Sequence, residues 1–123
     1  MILVVDDEAS VRATIANALV ELGYAVREAG DGAEALAAVR EGNISLAILD
    51  YVMPGMDGAE VAREIAIIDP TLPVIFSTGH AALRALRGAA GEDVKVLEKP
   101  FTLDELDALL RERLAERRRA RSA

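Results

Sequence analysis

Apolar and polar positions fall in blocks along this chain. Short runs in which nearly every residue is apolar, such as Ile2-Leu3-Val4-Val5 and Leu46-Ala47-Ile48-Leu49, are separated by longer stretches with apolar residues every third or fourth place. A strand that is apolar on both sides is covered on both faces, as in a parallel sheet packed between helices. The pattern predicts five strands, at residues 2–5, 25–28, 46–49, 73–77 and 95–97, of which the second is the weakest.

Helical spacing fills the intervals. Val11, Ile15, Leu19 and Leu22 recur at that spacing and stop at Gly23, which suits a left-handed cap. A second helix at 34–41 buries Leu36 and Val39 and stops at Gly42; a third carries Val61, Ile65 and Ile68 and ends at Asp69-Pro70. Residues 81–87 form a fourth that Gly88, Gly91 and the lack of a long apolar stripe make short or loosely held. The fifth opens with Thr102 and Glu105 as a capping box, carries Leu106, Leu109, Leu110 and Leu114, and is expected to end near residue 118.

Strand and helix alternating five times define an α/β fold, a (βα)5 doubly wound five-stranded parallel sheet with right-handed crossovers. Ligands of such sheets bind outside the carboxyl ends of the strands, where strand order reverses. With 123 residues there is room for one domain, taken as 1–118, followed by a basic C-terminal tail at 119–123.

Composition narrows the chemistry. No cysteine is present, which removes disulfides, thiolate nucleophiles and zinc ribbons and favours a reducing compartment, so the cytoplasm is expected. The short apolar start runs into acids and does not resemble a signal peptide, and no run is long enough to span a membrane. The net charge is −7, yet residues 111–123 hold six of the fourteen basic groups and only two of the twenty-one acidic ones. An acidic domain repels phosphate backbones, and the arginine run has no interleaved aromatics to stack on bases, so no direct nucleic-acid partner is expected.

The candidate chemistry lies just past the strand ends. Asp6-Asp7-Glu8 comes after the first strand, Asp50 after the third, Thr78 after the fourth and Lys99-Pro100 after the fifth. In the expected fold these positions converge on one sheet edge. Carboxylates packed together raise each other's pKa unless a cation lies among them, and an oxygen-only ligand set suits a hard ion, Mg²⁺ with Mn²⁺ as a substitute. With a cation present, Asp50 becomes a carboxylate nucleophile able to form an acyl phosphate. Lys99, one of only two lysines, offers a flexible point charge to a phosphoryl oxygen, and the Thr78 hydroxyl can donate to another. Taken singly each residue has a plainer reading: Asp6 to Glu8 as helix-capping acids, Asp50 as a turn residue, Thr78 and Lys99 as ordinary strand-end groups. Only their joint placement favours chemistry.

Five segments together carry a resemblance: Ile2-Leu3-Val4-Val5-Asp6-Asp7-Glu8, Asp31-Gly32-Ala33-Glu34-Ala35-Leu36, Leu49-Asp50-Tyr51-Val52-Met53-Pro54-Gly55-Met56-Asp57-Gly58, Pro73-Val74-Ile75-Phe76-Ser77-Thr78-Gly79 and Glu98-Lys99-Pro100-Phe101. In order and spacing the chain resembles a receiver domain of two-component response regulators over essentially its whole length. The resemblance implies the flavodoxin-like receiver fold with strand order 2-1-3-4-5. It implies Asp50 as phosphoacceptor; Asp7, Asp50 and the Val52 carbonyl as direct metal ligands and Asp6 as one acting through water; and a cis peptide between Lys99 and Pro100. It further implies a histidine kinase or histidine phosphotransfer protein as phosphodonor, and a domain that, though not a conventional enzyme, promotes its own phosphorylation and dephosphorylation.

Two departures matter. Val96 stands where many receivers carry an aromatic that moves with the switch threonine, and Phe76-Ser77 with Gly79-His80 is similar to receivers that are single-domain or attached to hybrid kinases. Whether the chain stands alone, and whether it forms a homodimer, is left open by these residues. The rivals are a non-phosphorylated docking module of the same fold, a metal-dependent hydrolase, which would need an acid where Val52 stands, and a flavin protein, which would not place acids at the phosphate loops.

Overall fold

Behind the exposed Met1 come four buried apolar residues, Ile2 to Val5, and that continuous burial fixes the architecture. In the computed structural model, which describes residues 1–122, β1 (Ile2–Val5) is covered on both faces and lies inside a five-stranded parallel sheet of order β2-β1-β3-β4-β5. The other elements, in chain order, are α1 (Ala9–Glu21), β2 (Val26–Ala29), α2 (Gly32–Glu41), β3 (Leu46–Asp50), α3 (Gly58–Ile68), β4 (Val74–Gly79), α4 (His80–Ala90), β5 (Val96–Lys99) and α5 (Leu103–Ser122). The expected doubly wound fold and strand order are those observed.

The sheet divides the core into two layers. Leu3, Val5, Leu49 and Phe76 face Leu36, Val61, Ile65 and Leu86 of α2, α3 and α4. Ile2, Val4, Ile48, Ile75 and Leu97 face Ile15, Leu19, Leu106 and Leu110 of α1 and α5. Each fully buried Leu or Ile contributes about 1.5–3 kcal/mol relative to exposure, so the two layers hold the strands in a register that also sets their ends.

Local signals decide where helices begin and stop. Asp31 accepts from the Glu34 N–H at 2.8 Å, so α2 starts two residues before the expected 34. Asp57 and Glu60 form a reciprocal capping box at α3 that the apolar pattern alone does not reveal. Thr102 accepts from the Glu105 N–H at 3.1 Å, one of the two bonds of the capping box expected for α5. Gly42 ends α2 with φ +88, a backbone conformation costly for other residues. The Lys99–Pro100 peptide is cis, as the resemblance implied.

Two expectations change. The fourth helix is not short: it runs eleven residues, though Leu86 is its one buried side chain, so it is regular but thinly attached. The fifth runs through Ser122, past the end expected near 118; Arg118, Arg119 and Arg121 in its last turns are exposed, while Arg113 and Arg117 before them are anchored. Arg117, whose side chain is 9% exposed, donates to the Ile44 carbonyl at 2.7 Å and to Asp69 at 3.1 Å, and Arg113 reaches the Val74 carbonyl at 3.1 Å. These contacts border a hollow of about 620 Å³ at the amino ends of the strands, lined in part by Ile44, Leu72, Leu114, Arg118 and Arg121. Ala123 lies outside the described residues. Among the described residues no helix is long and apolar enough to cross a membrane.

Replacing Arg117 by Ala leaves a backbone carbonyl and a carboxylate without their donor, and is expected to lower the unfolding free energy by about 2 kcal/mol. The exposed Arg119→Ala should leave it unchanged. Urea denaturation of the two variants, read at constant m-value, checks this.

Candidate functional site

β1 and β3 are adjacent and parallel, with Val5 opposite Leu49 as their last paired positions. The next residue on each strand is therefore an aspartate at the same edge, Asp6 beside Asp50. Asp6 is 2% and Asp50 9% exposed, while Asp7 is turned to solvent. One carboxylate oxygen from each of Asp6, Asp7 and Asp50 can be chosen so that all lie within 4.8 Å of one another. Asp6 also accepts from the Glu8 N–H at 2.9 Å, which ties the acidic turn to the start of α1.

Lys99 comes from β5, two strands away from β3, and reaches this group. Its ammonium lies 3.3 Å from Asp6 Oδ2 and 3.7 Å from Asp50 Oδ1, with the side chain 30% exposed. Thr78 is buried in β4, in register with Glu98 and one residue beyond Ser77, which pairs with Asp50. The sheet thus brings Asp6, Asp7, Asp50 and Lys99 into contact and sets Thr78 on the same edge; among the described residues its hydroxyl makes no side-chain hydrogen bond. Val52 is 61% exposed, and its backbone N–H acts to lower the Asp50 pKa.

The electrostatics are those of a crowded anionic rim. Burial pushes the Asp50 carboxyl up to about 6; Lys99 acts against this, Asp6 and Asp7 add to it, and the Val52 N–H opposes it. One ammonium does not offset three carboxylates. The donor set is all oxygen and oversupplied with negative charge, so it suits a hard divalent cation. Asp6, Asp7 and Asp50 could hold such an ion.

Two further residues lie next to the site. Gly58, the first residue of α3, packs so close to the acceptor strand that a Cβ there would lie 2.4 Å from the Asp50 carbonyl oxygen and 2.9 Å from Tyr51 Cα. Its N–H donates to the Tyr51 carbonyl at 2.9 Å, closing the loop that leaves Asp50. His80, at the start of α4, lies 2.8 Å from Glu98, linking the turn after Thr78 to β5. The glycine's motif was legible; its close approach was not.

An open five-stranded parallel sheet of order β2-β1-β3-β4-β5, with three aspartates and a lysine at its carboxyl edge, places the chain among flavodoxin-like α/β proteins of the receiver type. The chain belongs to the response regulator receiver domain family, whose sequence profile matches residues 2–111, and so to two-component signalling. It is 42% identical to the response regulator receiver protein CpdR of Brucella abortus, over 85% of this chain and 88% of that protein. It is 40% identical to the transcriptional regulatory protein TcrA of Mycobacterium tuberculosis, over 89% of this chain but 44% of that protein, so it spans about half the length of that relative. Among solved structures, the receiver domain of NtrX from Brucella abortus superposes with a TM-score of 0.86 at 34% identity, covering 94% of this chain and 98% of that one. A response regulator receiver domain protein from Clostridium thermocellum gives 0.87 at 32% identity, covering 95% of each chain.

The raised Asp50 pKa has a definite sign in stability. The folded state holds this proton more tightly than the unfolded chain, so its contribution is full below the ordinary aspartate value of 3.8 and is lost as pH rises through about 6. In chelator at pH 7.5, Asp50→Asn is therefore expected to raise the unfolding free energy by about 2 kcal/mol, and the gain should vanish near pH 3.5; melting curves of both proteins at the two pH values check it. Gly58→Ala should cost about 1–3 kcal/mol, measured by urea denaturation.

Proposed function

We propose that this chain is a phosphoacceptor receiver that takes a phosphoryl group onto Asp50 from a histidine kinase or a histidine phosphotransfer protein. The observation that carries the reading is the meeting of Asp6, Asp7 and Asp50 with the Lys99 ammonium at one strand edge. Asp7, Asp50 and the Val52 carbonyl would ligate Mg²⁺, or Mn²⁺ in its place, with Asp6 acting through water. When bound, the cation supplies the positive charge that lets an anionic phosphoryl group approach three carboxylates.

In the transfer an Asp50 carboxylate oxygen attacks phosphorus, the phosphorus–nitrogen bond to the donor imidazole breaks, and the imidazole leaves with its electron pair and takes up a proton. Lys99 neutralises a phosphoryl oxygen, and the Thr78 hydroxyl donates to another once transfer has occurred. The domain is no conventional enzyme, but these groups promote the addition of its phosphoryl group and, through attack by water, the removal. Phosphorylation then changes which partner the domain binds. We place this activity in residues 1–118, with 119–123 as an appended basic segment, and in the cytoplasm with the donor.

Incubation with acetyl phosphate and Mg²⁺ should add one phosphoryl group, read by intact mass and lost on treatment with hydroxylamine. Asp50→Asn should abolish the addition, and Lys99→Ala should slow it by about a hundredfold. Undiminished labelling of the Asn variant would rule out Asp50 as the acceptor, and a parent chain that takes up no label would instead support a fold used for docking alone.

A further inference from the structure

The carboxyl edge of the sheet carries one polar side chain that phosphoryl transfer as described leaves without a task. Ser77, in β4, is 1% exposed, and its hydroxyl oxygen has no hydrogen-bond partner among the described residues. Buried hydroxyls nearly always have a partner, so one without calls for a reason.

Its position supplies one. Ser77 pairs in register with Asp50 on one side and with Leu97 on the other. Paired residues of neighbouring strands point to the same face of a sheet. Ile75, two residues before Ser77, packs with Ile48, two before Asp50, and with Leu97 under α1 and α5. Asp6 lies two residues past Val4 on that same face, so Asp6, Asp50 and Ser77 form one row across the strand ends. Lys99 stands two residues beyond Leu97, its ammonium 3.7 Å from Asp50 Oδ1. Thr78, one residue on, starts from the opposite face.

We propose that Ser77 is a positioning residue for phosphoryl transfer. Its hydroxyl donates to the Asp50 carboxylate oxygen on the β4 side and fixes the rotation of that carboxylate while the other oxygen attacks phosphorus. Neighbouring strands lie about 4.7–4.9 Å apart, so a small turn of the Asp50 side chain closes the bond. The occasion for it is Lys99. As this ammonium turns toward the phosphoryl oxygens, the Asp50 oxygen it faces loses that contact, and the adjacent buried hydroxyl replaces it as a donor. The inference rests on Asp50 being the acceptor.

The test uses the full chain with acetyl phosphate and Mg²⁺, following labelling by intact mass, Mg²⁺ affinity by amide shifts, and melting in chelator. Ser77→Ala should slow labelling by about tenfold with Mg²⁺ affinity within about twofold and melting no lower than the parent. Ser77→Thr keeps the hydroxyl and should recover most of the rate, and Ser77→Cys, of similar size and a weak donor, should fall between. An Ala variant that labels at the parental rate overturns the proposal. So does a Thr variant as slow as Ala that melts like the parent, or a loss of rate that tracks a loss of Mg²⁺ affinity. If the parent chain itself takes up no label, the acceptor reading fails first and Ser77 with it.

Discussion

Three carboxylates are forced together where two neighbouring parallel strands end, and the rest of the site answers to that crowding. β1 and β3 must be adjacent because both are buried on two faces and fill the centre of the sheet. Their register then puts Asp6 beside Asp50 whatever the electrostatic cost. Lys99 relieves part of it from β5, but burial, with Asp6 and Asp7 adding to it, pushes the Asp50 carboxyl up to about 6. A cation bound among these carboxylates would relieve that crowding and favour the folded state by mass action.

The two poles of the molecule are held differently. At the amino ends of the strands, Arg113 and Arg117 tie α5 to backbone carbonyls before β3 and at β4, and to the residue that ends α3. At the carboxyl ends, α4 has one buried side chain, Leu86, supplemented by the exposed His80–Glu98 pair and a 3.4 Å contact from the Tyr51 hydroxyl to the Ala85 carbonyl. Elements with few buried contacts open at low free energy. The side of the domain that borders the acidic rim is therefore the side that can shift, against a pole that stays fixed. Val96, half-buried against the same layer as Phe76, provides no aromatic lever there, so the aromatic device common in related domains has no counterpart at this position.

Strand identity, helix order and the acids at the strand ends were legible because each depends on local pattern. Val4 and Ile48 read as buried from their own neighbours, and Thr102 reads as a cap from Glu105. The fourth helix was underestimated because glycine content lowers helix propensity, whereas packing of Leu86 and the chain reversal after β4 hold it over eleven residues. The anchoring of α5 was not legible, because an arginine run looks solvated until one knows that a carbonyl at Ile44 and a carboxylate at Asp69 lie within reach of Arg117.

By itself the sequence determined the alternation of strands and helices and which chemical groups terminate each strand, since both depend on side-chain type and short-range spacing. Tertiary structure alone decided that Lys99 spans from β5 to Asp6, that Gly58 touches the Asp50 backbone, and that the Ser77 hydroxyl is left without a partner beside the acceptor. Those relations join residues far apart in the chain. They depend on strand register and on the packing of helices across both faces, and no local stretch of sequence encodes either one.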